Sequence, residues 1–565
     1  MRHTQKGSCG IKYKHHKQLT HLSFRIHMKH EFNKGIFMKL LSGKTLTLLL
    51  TSTLFSLTGC GGSSDSGGDS GSSGGGSSGT PQWVAGVFAP DSELAGQCAA
   101  DQTGSELTEK LWLRSWSNDT YLWYDEIADI DPAPFGVIPY FNQLKTQELS
   151  ATGNTKDKFH SSMPTSEWEQ LNQSGAAVGY GAHFFIQQAN GTQDRKITVT
   201  YVEPNSPASI EHVSRGYVVT EIDGVNVKDA ADSASIALLN RGLFPDSAGQ
   251  HTHFTFKHLD GQTFSDMTLT AQTIVSTPVQ NTTTIVTTTG RVGYLQFNSH
   301  IATAERGLFD AVNTLSDAGV DDLVLDLRYN GGGLLAMAGQ LGYMIAGNQA
   351  TQGKIFERST FNDKHPNTDP VTGQALTPMP FFSESLGFNA SLLGAGQSLP
   401  SLNLSRLFVL TTANTCSASE ALMNGLRGID IEVIQIGDTT CGKPYGFYPT
   451  PNCGTTFFTV QFKGENDKGF GDYSDGFVPS VNPTLESEIP GCSLSDDFNH
   501  ALGDTDERLL NAALYYRAND RCPTLLGKAA KAKPRAQFID TGFILEDTRS
   551  QNVLHNNRIL TQSSQ

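Results

Sequence analysis

The chain is short of cations: 41 Lys and Arg stand against 56 Asp and Glu, a formal charge of -15. Ten of those cations, against the single acid Glu31, lie in residues 1–59; removing that surplus of nine leaves the rest at -24. Phosphate binding needs clustered cations, so nucleic acid is excluded as a partner. The eight cysteines form no CxxC pair, which argues against a structural zinc site, and nothing calls for another metal or cofactor. No apolar run reaches the roughly 20 residues that span a bilayer. What is present is ordinary for a globular protein, with 38% hydrophobic and 17% charged residues. The length of 565 residues suggests about three or four domains.

The first 80 residues read as an address. Lys39 and Lys44 precede a mostly apolar run from Leu46 to Leu57, which fits a secretory signal over residues 38–59. Its end, Leu57-Thr58-Gly59-Cys60, resembles the bacterial lipobox, in which the cysteine thiol accepts diacylglycerol and becomes the mature N-terminus. That resemblance makes Cys60 the lipidation site. Residues 61–80 hold nine Gly and eight Ser, a tract that cannot pack and acts as a flexible tether. Its reach is roughly 25 Å. Gly61, rather than Asp, follows the cysteine; by resemblance to Gram-negative lipoproteins this implies an outer-membrane anchor facing the periplasm. Residues 1–37 are basic and His-rich ahead of a complete signal, so Met38 is expected to be the true start.

The remainder changes character several times. Residues 81–172 read as a helical segment, because Leu111 to Tyr124 repeats large apolar groups at spacings near three and four. This is a structural pattern and no chemistry is assigned to it. Residues 173–278 switch to short β-rich runs (HFFIQQ, KITVTYV, YVVTEIDGVNV, HFTFKH, MTLTAQT) with a turn and short helix at EPNSPASIEHVSRG. Residues 279–523 alternate strands (GRVGYLQF, DDLVLDLR, SRLFVLTT, IEVIQIG, TTFFTVQFKG) with amphipathic helices (ERGLFDAVNTLSDAG, SASEALMNGLRG). That alternation predicts an α/β core with a largely parallel sheet. Within it, residues 350–402 are rich in Pro, Gly, Ser and Asn and read as a surface insertion. Residues 524–565 form a polar tail.

Three loops of the core could carry chemistry. In Asp326-Leu327-Arg328-Tyr329-Asn330-Gly331-Gly332-Gly333 a strand ends, three glycines follow and an apolar helix begins. Such a turn can aim N–H groups into a concavity that stabilises an oxyanion. It could also cradle phosphate, but neither GxxxxGK[ST] nor GxGxxG is formed there. In Thr415-Cys416-Ser417-Ala418-Ser419-Glu420 a serine sits where a strand turns into a helix, near the positive end of the dipole. Taken alone, Ser417 with Glu420 three residues on reads as a capping box. In Gly437-Asp438-Thr439-Thr440-Cys441-Gly442-Lys443-Pro444, Lys443 has no neighbouring acid in the sequence. A desolvated lysine can serve as the base that a serine nucleophile needs; the plainer reading is a surface turn.

Two resemblances join these pieces. Val202-Glu203-Pro204-Asn205-Ser206-Pro207-Ala208, then Arg215-Gly216-Tyr217-Val218-Val219, then Ile222-Asp223-Gly224 resemble a PDZ domain of exported proteases, with Tyr217 where Asp is usual. That resemblance implies capture of a peptide C-terminus by strand addition, with Gly179, Tyr180 and Gly181 as the carboxylate loop. The motifs DLR-x-N-x-GG, S-A-S-E and G-K, in that order behind such a domain, resemble the C-terminal processing peptidases, or tail-specific proteases, over residues 105–520. This implies a multidomain α/β protein with a crotonase/ClpP-like core. It also implies peptide-bond hydrolysis through an acyl-enzyme, on protein or peptide substrates with exposed C-termini. Carried over, Ser417 is the nucleophile and Lys443 the general base, and the N–H groups of Ala418 and Gly332 form the oxyanion hole.

This chain departs from that pattern. Phe447 stands where many relatives have a Gln that orients the lysine, and Gly331 replaces a frequent Pro. His300 is a weaker alternative base, because distant relatives that use a His carry it where this chain has Gln296. A peptide-binding lipoprotein scaffold that does not cut is the rival function, and a crotonase-like thioester enzyme a more distant one. Six cysteines follow Cys60, an even number in an oxidising compartment, so disulfides are expected. A Cys416–Cys441 bridge would staple the serine to the lysine; Cys441–Cys453 is an equal rival.

Overall fold

Strands with apolar residues at successive positions must be covered on both faces. In the computed structural model, which describes residues 81–150, 152–188, 194–524 and 558–559, the core strands form one seven-stranded sheet. Its order is Val279–Thr287, Gly290–Phe297, Asp322–Asp326, Arg406–Thr411, Glu432–Gly437, Glu488–Ser493, Val478–Ser480. The first pair is antiparallel and the others are parallel, as the alternating pattern predicts. Leu323, Leu325, Leu407, Val409 and Val433 join the apolar layer of the helices Ala304–Asp317, Leu335–Thr351 and Ala418–Gly428. Their neighbours Val324, Phe408, Leu410, Ile434 and Ile436 face the helix Arg508–Asn519.

Parallel strands deliver the loops that follow them to one edge of the sheet, where such folds build their sites. Three adjacent strands do so here. The triple-glycine loop follows Asp322–Asp326, Ser417 follows Arg406–Thr411, and Lys443 follows Glu432–Gly437.

Two stretches differ from the sequence reading. TTFFTVQFKG reads as one strand but is divided between two sheets. Thr455–Phe458 pairs with Ser161–Pro164 and Thr450–Asn452, whereas Phe462–Glu465 pairs with Tyr445–Gly446 and Ile355–Thr360. The stretch 350–402 is therefore partly woven into the core, through Ile355–Thr360 and its partner Met379–Pro380. Glu305, buried, holds it further by accepting N–H bonds from Leu386 at 2.6 Å and Phe388 at 3.0 Å.

The N-terminal helix Glu106–Thr120 begins at Ser105, whose hydroxyl accepts the Thr108 N–H at 3.2 Å. It is buried continuously from Lys110 to Ser117, so it is covered on all sides rather than along one stripe. Trp112 and Phe141 pack on Phe457, with ring centroids 5.7 and 4.8 Å away. A Cys98–Cys453 disulfide, the Ser161–Pro164 strand pairing and a Leu122 N–H to Val460 O bond of 2.8 Å fasten this layer to the core.

Residues 182–270 form a six-stranded antiparallel sheet with Ala182–Gln187 at one edge. The helix Ser233–Leu243 buries Ile236, Leu239 and Leu243 in the core of this β-domain. Arg215 docks the β-domain on the core, donating to Tyr329 Oη, Asp496 Oδ1 (2.8 Å), Asp497 O (2.9 Å) and His500 O (3.1 Å). No helix among the described residues is long and apolar enough to cross a membrane. Cys60, the signal and the tether lie outside the described residues, as does most of the tail. Within that tail, Arg558–Ile559 pairs in parallel with Gly333–Leu334.

Candidate active site

Ser417 occupies the turn between strand and helix with φ 59° and ψ -115°. A side chain in such a conformation costs about 1–3 kcal/mol, so the surroundings must impose it. Glu420 fills the capping-box position, accepting the Ser417 N–H at 2.9 Å. The hydroxyl sits in the capping-box arrangement toward the Glu420 N–H, but buried Ser417 Oγ makes no hydrogen bond of normal geometry among the described residues. The cap, which the sequence alone favours, accounts for the backbone of Ser417 and only in part for its side chain.

Glu420 does more than cap. Its buried carboxylate also accepts from Thr440 Oγ1 (2.5 Å), Gly442 N–H (2.8 Å) and Lys443 N–H (2.8 Å). Burial pushes its pKa up against the pull of these donors and of Ser417. One carboxylate thus ties the serine loop to the lysine loop, a role that S-A-S-E alone does not reveal. The Cys416–Cys441 disulfide, Cα–Cα 5.1 Å, and a Cys441 N–H to Thr415 O bond of 3.0 Å add two further ties. The rival Cys441–Cys453 bridge is not made, because Cys453 bonds Cys98; Cys492 bonds Cys522. Among the described residues, both Cys/Glu groups close enough to hold a metal have their sulfurs in these disulfides.

Lys443 is fully buried. Its Nζ lies 4.5 Å from the centroid of the Phe447 ring and 4.9 Å from that of Phe159. Burial holds its pKa well below the usual lysine range, against the opposing charges of Asp157 and Glu420. An amine whose neutral form is favoured in this way can accept a proton. The preceding residue must be glycine: Gly442 has φ 82°, and a Cβ there would lie 2.2 Å from Ser474 O.

The triple-glycine loop meets the serine directly. A Cβ on Gly332, at φ 108°, would lie 2.8 Å from Ser417 Cβ and 2.9 Å from Ala418 N. Gly332 N–H here donates to Asn330 Oδ1 at 2.9 Å, so an oxyanion at this place would take over that bond. The same oxygen faces His300 Nδ1 at 3.0 Å, which makes Nδ1 the protonated nitrogen for the Asn330 orientation shown. Burial lowers the His300 pKa to about 4, so this ring is neutral at pH 7 and braces the glycine loop. Arg328, also buried, pairs with Asp326 (2.8 Å), Asp496 (2.7 Å) and Glu507 (3.0 Å) and fixes the start of that loop.

Ser417, Ala418, Gly332 and Lys443 therefore come together, while Gly179, Tyr180 and Gly181 lie in the β-domain. Those three link the strands Ala176–Gly179 and Ala182–Gln187. Gly181 has φ 78°, and a Cβ there would lie 2.2 Å from Ser206 Cβ. The Tyr180 ring belongs to the apolar core, with its hydroxyl donating to Thr252 Oγ1 at 2.7 Å.

Residues 291–451, which span all three loops, match the family model described as peptidase family S41. The chain carries a peptidase family S41 domain. A carboxyl-terminal-processing protease of Picosynechococcus sp. is 25% identical to it over 241 residues, covering 42% of this chain and 49% of that protein. The chain thus spans about half the length of the curated relative it matches. A solved structure from Bacteroides fragilis assigned to the S41 proteases has TM-score 0.53 and 22% identity, covering 73% of this chain and 97% of that one. That likeness shows that the S41 domain and the elements around it share a fold with that protein. A photosystem II D1 C-terminal processing protease aligns at TM-score 0.40 and 18% identity, over 72% of this chain and 97% of that one.

Proposed function

We propose that the chain is a serine endopeptidase of exported proteins, with Ser417 as nucleophile and Lys443 as general base. The observation that carries this reading is an unpartnered serine hydroxyl on a strained turn, tied through Glu420 to the loop of a lysine whose neutral form burial favours. The neutral amine takes the Ser417 proton as Oγ attacks the scissile carbonyl carbon. The oxyanion rests on the N–H groups of Ala418 and Gly332. The ammonium returns its proton to the departing amine. Water, deprotonated by the same lysine, then releases the acyl group and restores the serine. The Ala182–Gln187 edge of the β-domain would take up a substrate C-terminus as an added strand, its carboxylate against the Gly179–Gly181 loop. Cys60 would carry lipid at the outer membrane, which the mass of the N-terminal peptide tests.

Ser417→Ala and Lys443→Ala should each lower cleavage of unfolded, tail-exposed proteins by at least about a thousandfold. Undiminished turnover in both variants sinks the assignment. A non-cutting peptide scaffold is the second reading, favoured by the full burial of both residues, which no peptide reaches without an opening. Labelling of the parent, but not of Ser417→Ala, by a fluorophosphonate probe decides for the peptidase.

A further inference from the structure

At the place where a glutamine would orient the lysine stands Phe447, a fully buried ring. We propose that Phe159, carried by the N-terminal layer, is a positioning residue for Lys443: with Phe447 it forms a two-ring slot that keeps water from the amine and fixes its place. This rests on the reading of Lys443 as the base.

The turn that carries Phe159 is built for a fixed position. Buried Asp157 accepts the Phe159 N–H at 2.9 Å and the His160 N–H at 3.2 Å on one oxygen, and the Tyr121 hydroxyl at 2.7 Å on the other. Lys158 Nζ donates to Cys441 O at 3.0 Å, two residues before Lys443. Phe159 itself is 3% exposed and shares a cluster with Tyr121, Cys416, Cys441, Tyr445 and Val460. The turn therefore grips the lysine loop at its backbone and at its amine.

Two effects of the rings oppose each other. An aromatic face attracts an ammonium by about 0.5–2 kcal/mol, which raises a lysine pKa. Exclusion of water lowers it by up to about 3–5 units in a fully buried site. The charged groups that act on the amine include Asp157 from the N-terminal layer and Glu420 from the helix; Lys158, Tyr121 and Tyr445 are further titratable groups of the elements packed there. The two carboxylates also favour the ammonium, yet the net direction is down, so exclusion of water dominates.

The test is the pH dependence of kcat/KM for full-length protein on a fluorescently labelled, unfolded casein. In Phe159→Ala water should reach Lys443, and the acidic limb should move up by about one pH unit, so that kcat/KM on the acid side of the limb falls about tenfold. Phe159→Leu, apolar and bulky but without a ring, should restore the parental limb. The position of the limb does not depend on how much of a preparation is folded; Phe159→Val, a milder truncation, should shift it by an intermediate amount. A limb that stays in place or moves down in Phe159→Ala overturns the proposal, as does a Leu variant that matches the Ala variant. If parental turnover survives Ser417→Ala, the peptidase reading itself fails; if it does not and the limb is unmoved, only the role of Phe159 fails.

Discussion

An ordinary lysine, with a pKa near 10.4, is an ammonium at pH 7. Burial holds the pKa of Lys443 well below that value in the folded state, which favours the neutral amine. Unfolding then takes up a proton across the whole window between that lowered pKa and about 10.4. More protons on the unfolded state mean that stability rises with pH through this window, by up to about 1.4 kcal/mol per pH unit. Lys443→Met, similar in length and uncharged, removes the uptake. Denaturant unfolding at pH 6 should show this variant more stable than the parent by about 1–3 kcal/mol, with the gap closing toward pH 10. A gap independent of pH would mean that the neutral amine is not its source. This residue was the least legible in the sequence. Nothing beside Lys443 marks it as buried; the rings around it come from Phe447 on its own loop and from Phe159, in a polar KDKFH turn without periodicity. Ser417 was legible but ambiguous, since a serine with a glutamate three residues on signals a cap as well as a nucleophile. The backbone angles and the unpartnered hydroxyl are what weigh toward the second reading.

Elements were read well where period and apolarity agreed. Gly290–Phe297 and Lys196–Val202 coincide with the runs GRVGYLQF and KITVTYV. They failed where a tertiary partner decides: TTFFTVQFKG breaks because its halves answer to different sheets, and no residue within it marks the break. Disulfide pairing was open for the same reason. Two bridges now offer a controlled comparison. Cys416–Cys441 spans 25 residues beside Ser417 and Lys443, whereas Cys492–Cys522 spans 30 and packs with the Arg508–Asn519 layer on the other face of the sheet. Chain entropy alone gives each roughly 3 kcal/mol. Replacing either pair with alanines should therefore lower stability in urea by a similar amount. Activity should distinguish them. The Cys416/Cys441 double variant should lose at least about tenfold in kcat with little change in KM, while Cys492/Cys522 keeps parental kcat. Equal kcat in both would reduce the Cys416–Cys441 bridge to a general brace, leaving Glu420 as the tie that matters.

At the scale of the molecule, shifts in composition divide the chain into helical, β-rich and α/β stretches but say nothing of how these dock. The docking runs through residues with no common motif. Arg215 of the β-domain donates to the Tyr329 hydroxyl, and Tyr329 stands three residues before Gly332, in the loop that touches Ser417. Tyr329 donates in turn to Asp496, and its ring stacks on Tyr201 at 5.6 Å. Asp496 is shared between Arg215 and buried Arg328. Removing one member of a buried ion network leaves uncompensated charge, which costs about 3–5 kcal/mol. Arg215→Ala should therefore loosen the β-domain from the core before either unfolds. In a thermal melt the parent should show a single transition and the variant two, the lower one belonging to the β-domain. Arg215→Lys should fall between, since an ammonium keeps the charge but cannot reach Tyr329, Asp496 and two carbonyls in one plane. Tyr329→Phe, which keeps the stack on Tyr201 and loses only the bridging hydroxyl, should cost about 1–3 kcal/mol without splitting the melt. If Arg215→Ala melts in one step at the parental temperature, the two bodies are held by the Tyr201–Tyr329 and Phe185–Phe498 stacks instead, and the ion network serves the glycine loop alone.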